Sequence, residues 1–96
     1  MGRVWGDGPT VKVIHPRSGC IVGRAAVMES WRIVLGVGPT VVRCTEVQAA
    51  VAPRSSAGWV TCLELAEGAE EGAGVRATNI FEKQDGAWKL VHHHGG

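Results

Sequence analysis

Three consecutive histidines, His92, His93 and His94, follow the stretch AWKLV, and a fourth, His15, lies in TVKVIHP. Imidazole both carries protons near neutral pH and ligates metals, so these residues are where the chain could do chemistry. Alternation along a strand would put His92 and His94 on one face, as a His-x-His pair of zinc ligands. A zinc site needs a third protein ligand, which His15 could supply only if the first strand lies beside the last. On ligand count no metal is expected.

The register that positions the histidines follows from the turn Gln84-Asp85-Gly86, because Asp-Gly supplies the positive φ angles of a tight hairpin. With Asp85 and Gly86 at the tip, Gln84 faces Ala87, Glu82 faces Lys89, Phe81 faces Leu90 and Asn79 faces His92. Glu82 and Lys89 then form a charge pair, Phe81 and Leu90 an apolar one. Trp88, Leu90, His92 and His94 share one face, and the alternation of WKLV continues into the histidines, which marks them as part of the strand.

The remaining elements are read from periodicity. Residues 10–16 form a short strand stopped by Pro16, and 17–23 a turn with a brief extended piece. From Arg24 to Leu35 the three-and-four spacing of Val27, Trp31 and Val34, with Met28 and Leu35 beside them, predicts an amphipathic helix whose other face carries Glu29 and Arg32. Gly23 is a weak N-cap, and Gly36, Gly38 and Pro39 end the helix. The period then drops to two, and 41–51, 59–66, 75–83 and 87–94 are four strands on short connections, which favour an antiparallel meander. The expected fold class is α+β, a curved antiparallel sheet of four main strands plus a short N-terminal strand under one helix, in a single domain of 96 residues. A three-turn helix cannot cover such a sheet. Either the sheet pairs with a second copy, giving a homodimer, or the natural protein begins upstream of Met1.

Composition narrows the partners. Ten Lys and Arg against nine Asp and Glu leave a net charge of +1 with no basic run, so nucleic acid is not expected. No apolar stretch approaches the roughly 20 residues of a membrane span, and MGRVWGDGPT lacks a signal peptide's apolar core and cleavage site. A cytoplasmic protein without membrane contact is expected. Cys20, Cys44 and Cys62, odd in number and far apart, read as small buried thiols.

The segments IHPRSGCIVGRAAVMESW and ATNIFEKQDGAWKLVHHH, in this order across residues 4–94, resemble the SnoaL-like domains of the nuclear transport factor 2-like superfamily. The nearest branch is that of small proteins related to the association domain of calmodulin-dependent protein kinase II. The resemblance implies a cone, in which a strongly bent antiparallel sheet wraps a cavity and often dimerises through the sheet. It also implies one or two helices before the first strand, which this chain lacks, so an N-terminally truncated cone is expected.

In such a cone the inner sheet face lines a ligand pocket, which here implies His15, Trp31, Asn79, Phe81, Trp88, Leu90, His92 and His94. Trp31 and Trp88 equally suit core packing, and His92 could simply be satisfied by Asn79. Relatives that move a proton next to a carbonyl imply His15 or His92 as the base and Asn79 as a donor to the developing oxyanion. Their usual acid has no counterpart: Glu29 is expected to point outward, Asp7 and Asp85 lie in Gly-rich turns, and the face of Glu64 is open. The expectation is a self-associating module that holds a small apolar or carboxylic ligand without catalysis or cofactor. An isomerase-like enzyme and a truncated product without independent function stand as alternatives.

Overall fold

The computed structural model describes residues 3–16, 18–36, 42–68 and 72–96. Its elements are β1 (Lys12–Ile14), β2 (Cys20–Val22), α1 (Arg24–Leu35), β3 (Val42–Val51), β4 (Ala57–Ala66), β5 (Val75–Gln84) and β6 (Ala87–Gly95). They form one six-stranded sheet, ordered β2-β1-β6-β5-β4-β3, with the helix on one side. The α+β class is the expected one. The details differ: the extended piece after Pro16 is a strand in its own right, β4 begins at Ala57, two residues before the expected start at 59, and β5 and β6 each run one residue further, to Gln84 and Gly95. The helix-stop residues Gly38 and Pro39, the first residue of the 41–51 strand and part of the 67–74 loop lie outside the described residues. No described helix is long and apolar enough to cross a membrane.

From β3 to β6 the sheet is the antiparallel meander that short connections demand. The N-terminal hairpin β1–β2 then joins through a parallel pairing, with Lys12, Val13 and Ile14 opposite His92, His93 and His94. A parallel neighbour needs a long crossover, and here the intervening helix and meander supply it. The segment before β1 also reaches β6: the Gly6 N–H donates to the Leu90 carbonyl at 2.8 Å and the Leu90 N–H to the Val4 carbonyl at 2.7 Å. Arg24 at the helix start donates to the Trp5 and Gly6 carbonyls at 2.8 and 2.9 Å, tying that segment to α1.

These connections place the core beneath the first two turns of the helix. Trp5, Val11, Val13, Val27 and Leu90 are buried together, with Ile21, Met28, Trp31, Phe81 and Val91 packed around them. Each fully buried Val or Leu side chain contributes roughly 1.5–3 kcal/mol, so this cluster is the main source of stability. The helix face expected to be buried is covered only in its first half. Val34 and Leu35 are 43% and 55% exposed, because α1 rests on β1 and β2 and its last turn has no strand beneath it. The thiols also depart from expectation. Cys62 is buried, but Cys20 and Cys44 are exposed, since β2 and β3 are the two edge strands.

The hairpin of β5 and β6 turns as its sequence requires, with φ of 51° at Asp85 and 79° at Gly86. Gln84, Glu82 and Phe81 face Ala87, Lys89 and Leu90, as the turn dictates. Beyond Leu90 the ladder slips: Ile80 pairs with His92, and Val91 is left as an extra residue, a β-bulge.

Candidate functional site

The bulge decides which histidine enters the molecule. Two residues of β6, Val91 and His92, oppose one residue of β5, so the alternation restarts after Leu90. Leu90 and His93 are buried on the helix side, while His92 and His94 lie on the outer face. Asn79 therefore faces His93, and the expected pairing of Asn79 with His92 is corrected.

His93 is 7% exposed, and its Nδ1 lies 2.6 Å from Asn79 Oδ1. An amide oxygen only accepts, so Nδ1 carries the proton and Nε2 presents a lone pair. Trp31 from α1 lies tilted against this ring, at 5.4 Å between centroids and 54° between planes, and meets His15 edge-on at 4.6 Å and 83°. On the other side of His15, Nε2 lies 3.0 Å from Ser30 Oγ. The Ser30 hydroxyl already donates to the Val27 carbonyl at 2.7 Å, so it accepts from His15 Nε2–H, and His15 Nδ1 is left with the lone pair.

Both imidazoles are held neutral. Burial pushes His93 down to about 4, with smaller contributions from the neighbouring His15, His92 and His94, and burial lowers His15 as well. Beside them the indole N–H groups of Trp5 and Trp31 are buried without a hydrogen-bond partner among the described residues. The cluster thus offers two acceptor nitrogens and two donors within an aromatic wall, without a formal charge.

Among the described residues no carboxylate orients either ring. Glu29 is exposed and pairs with Arg32 at 2.6 Å, as its outward position implied, and Asp7 pairs with Arg24 at 3.3 Å. Glu64 does face the helix side, opposite Cys44 and Val75, and burial raises its carboxyl. It lies four residues along β4 from Val60, the partner of Asn79. At about 3.3 Å per residue that is roughly 13 Å along the sheet from the row that holds Asn79 and His93.

Of the residues expected at the pocket, His15, Trp31 and Asn79 meet around His93, with Phe81 and Leu90 on the same sheet face. Trp88 shares that face but lies at its open end, 41% exposed, with the Lys83 ammonium 5.3 Å from its ring centre. There it lines a shallow groove of about 180 Å³ with Phe81, Val60 and Val51. His92 and His94 belong to the opposite surface. β1 does lie beside β6, yet the bulge separates His15 from the His92/His94 pair, and no metal-binding group of three or more His, Cys, Asp or Glu forms among the described residues.

His93 is the residue that strand alternation missed. One signal marks it: Leu90 and Val91 are consecutive apolar residues where strict alternation demands a polar one. The signal is weak by itself, since Trp59-Val60 in β4 is a similar doublet that pairs in unbroken register.

A family model described as "SnoaL-like domain" matches residues 1–95. No curated protein sequence matches the chain. Among solved structures, a protein of Streptomyces avermitilis, provisionally described as a dehydratase of the nuclear transport factor 2-like family, is 30% identical with a TM-score of 0.75, over 88% of this chain and 63% of its own. A Thiobacillus denitrificans protein, provisionally described as a calcium/calmodulin-dependent protein kinase type II association domain, is 28% identical with a TM-score of 0.77, over 97% of this chain and 75% of its own. The association domain of the C. elegans kinase shares the fold at 14% identity, with a TM-score of 0.69 over 94% of this chain and 76% of its own. The chain thus spans less than two thirds of the length of the Streptomyces relative.

Proposed function

The chain belongs to the SnoaL-like domain family of the nuclear transport factor 2-like superfamily, and on that premise we propose that it is a self-associating module. It pairs with a second copy through the outer face of its sheet, and its inner face holds a small, largely apolar ligand bearing a carboxylic group, without catalysis. The observation that carries this reading is the outer face itself. Trp59, Ile80 and Val22 are 43%, 36% and 50% exposed there, with Ile14, Leu63 and Leu65 half-buried around them. Exposed large apolar side chains on a sheet face, here interleaved with Thr61, His92 and Lys12, support an interface. The likeness to the Thiobacillus denitrificans protein described as an association domain supports the same reading.

The ligand class follows from the inner cluster. Two neutral imidazole acceptors and two indole donors complement a protonated carboxylic group, and the aromatic wall complements an apolar body. A general base whose conjugate acid lies near 4 removes protons poorly at neutral pH, and an amide rather than a carboxylate holds it. Proton transfer of the kind implied by the dehydratase-like relative is the second reading, favoured by a His93 tautomer fixed with Nε2 free of protein hydrogen bonds among the described residues.

Sedimentation equilibrium across a range of concentrations tests the proposal. A mass of twice the monomer's 10.1 kDa is expected, and a monomer at every concentration rejects it.

A further inference from the structure

Besides the shallow groove at Trp88, a second groove lies outside the histidine cluster. It is about 270 Å³ in volume and opens on the outer face between the N-terminal segment and the β5–β6 hairpin, among Asp7, Lys12, Ile80, Glu82, Gln84 and His92. The bulged strand builds it, because Val91 and His92 are displaced against Ile80 there. Gln84 fixes its rim by accepting from the Asp7 N–H at 2.9 Å and donating to the Asp7 carbonyl at 3.2 Å. Its floor is apolar at Ile80 and Val91, and its edge carries the Lys12 cation and the Glu82 carboxylate.

The same face presents a side chain suited to this groove. Trp59 stands on β4, 43% exposed, and Trp59, Ile80, His92 and Lys12 follow one another in register across β4, β5, β6 and β1. Consider a two-fold axis in the plane of the interface, running along the strands between β5 and β6. In the order β2-β1-β6-β5-β4-β3 it exchanges β5 with β6 and β4 with β1. Each Trp59 then lies over the Lys12 end of the opposite groove, and each Ile80 over the opposite His92. The arrangement is self-complementary, as a closed dimer requires, and each contact occurs twice.

We propose that the indole of Trp59 inserts into the groove at Lys12 and His92 of a second copy and is the anchor of the dimer. This rests on the self-association reading and names the contact that carries it. The chemistry matches at Lys12: the ring packs on the aliphatic stem of the side chain, and the Lys12 ammonium meets its face. The extent of the face is also adequate. Two strands of three residues, three of ten and one of nine, at about 4.8 Å by 3.3 Å per residue, give on the order of 700 Å², close to the area one partner contributes to a standard interface.

The test is sedimentation equilibrium on wild type, Trp59→Ala, Trp59→Phe, Lys12→Glu and the Trp59→Ala/Lys12→Glu double variant, each with a thermal melt. Both side chains are exposed in the single chain, so the folding of the monomer should be unchanged. The expected result is a dissociation constant raised tenfold or more by Trp59→Ala and by Lys12→Glu. Trp59→Phe should lose less, and the double variant little more than either single change, because both remove one contact. A wild-type dimer whose affinity neither Trp59→Ala nor Lys12→Glu alters overturns the anchor and leaves self-association standing. A wild type that stays monomeric overturns self-association and the anchor with it.

Discussion

Asn79 Oδ1 and His93 Nδ1 lie 2.6 Å apart across β5 and β6, and they are aligned by Val91, a residue outside their hydrogen bond. The turn at Asp85-Gly86 fixes the near end of the hairpin, and the extra residue shifts the far end by one. His93 thereby takes the inner position that His92 would otherwise occupy, and Asn79 becomes its tautomer lock.

The two histidines should respond differently to truncation. His93→Ala removes a buried ring packed on Trp31 and strands the Asn79 carbonyl, a loss of about 2–3 kcal/mol in urea unfolding. His92→Ala, on the outer face, should cost less than about 1 kcal/mol. Reversed magnitudes would mean that Val91 does not shift the strand in solution.

Acidification should weaken the fold in a defined window. The folded protein keeps His93 neutral down to about 4, whereas the unfolded imidazole takes a proton at its ordinary value of 6.5. Between these values the unfolded state binds more protons, so stability falls as pH drops through the window and levels off below it. Allowing for solvent near the ring, the loss is about 1–2 kcal/mol, read from denaturation midpoints at a series of pH values. In the same series one imidazole signal should stay unprotonated at pH 5. If all four titrate near 6.5, the cluster is open to water.

Replacing the lock should move that titration. Asn79→Asp puts a carboxylate on His93 Nδ1 and favours the imidazolium, so the His93 proton signal should titrate well above its wild-type position. Asn79→Ala leaves the ring's N–H buried without an acceptor, at a cost of about 1–3 kcal/mol. An unchanged titration in the aspartate variant would remove Asn79 from the site.

Deleting Val91 provides a sharper test of the bulge. In an ordinary strand a one-residue deletion turns every later side chain to the other face. Here it removes the surplus residue, so Ile80 still meets His92, Asn79 still meets His93, and the depressed His93 titration should survive in a less stable protein. A variant in which His93 titrates at its ordinary value sinks this account.

Gly95 gives a fourth handle. A Cβ at this position would lie 3.3 Å from His93 Nε2 and 3.6 Å from Val75 Cγ1. Gly95→Ala should therefore displace the His93 ring against Trp31, changing indole fluorescence and costing about 1 kcal/mol. Identical spectra and stability would show that the ring has room to move.

Much of this was legible in the sequence. The Asp-Gly turn gave the hairpin register as far as Leu90, the three-and-four spacing from Val27 to Leu35 gave the helix, and period-two runs gave the meander. What escaped had physical reasons. A bulge changes register through one residue, and Leu90-Val91 is too short a signal to outweigh the alternation around it. The parallel pairing of β1 with β6 joins segments whose patterns carry no mark of one another. Trp5, one of the most buried residues, lies in a Gly-rich segment without periodicity. The exposure of Cys20 and Cys44 depends on strand order, which local patterns do not contain.

That parallel pairing also governs how the protein folds. Lys12, Val13 and Ile14 meet residues 92–94, and further bonds join Asp7 to Gln84 across 77 positions and Lys89 to Arg3 across 86. Contacts so distant along the chain close very long loops, and loop entropy opposes them until the meander between is in place. The histidine cluster sits on this seam, with His15 on one side and His93 on the other. It should be among the last parts of the molecule to assemble, reporting the end of folding through the tryptophan packed between the two rings.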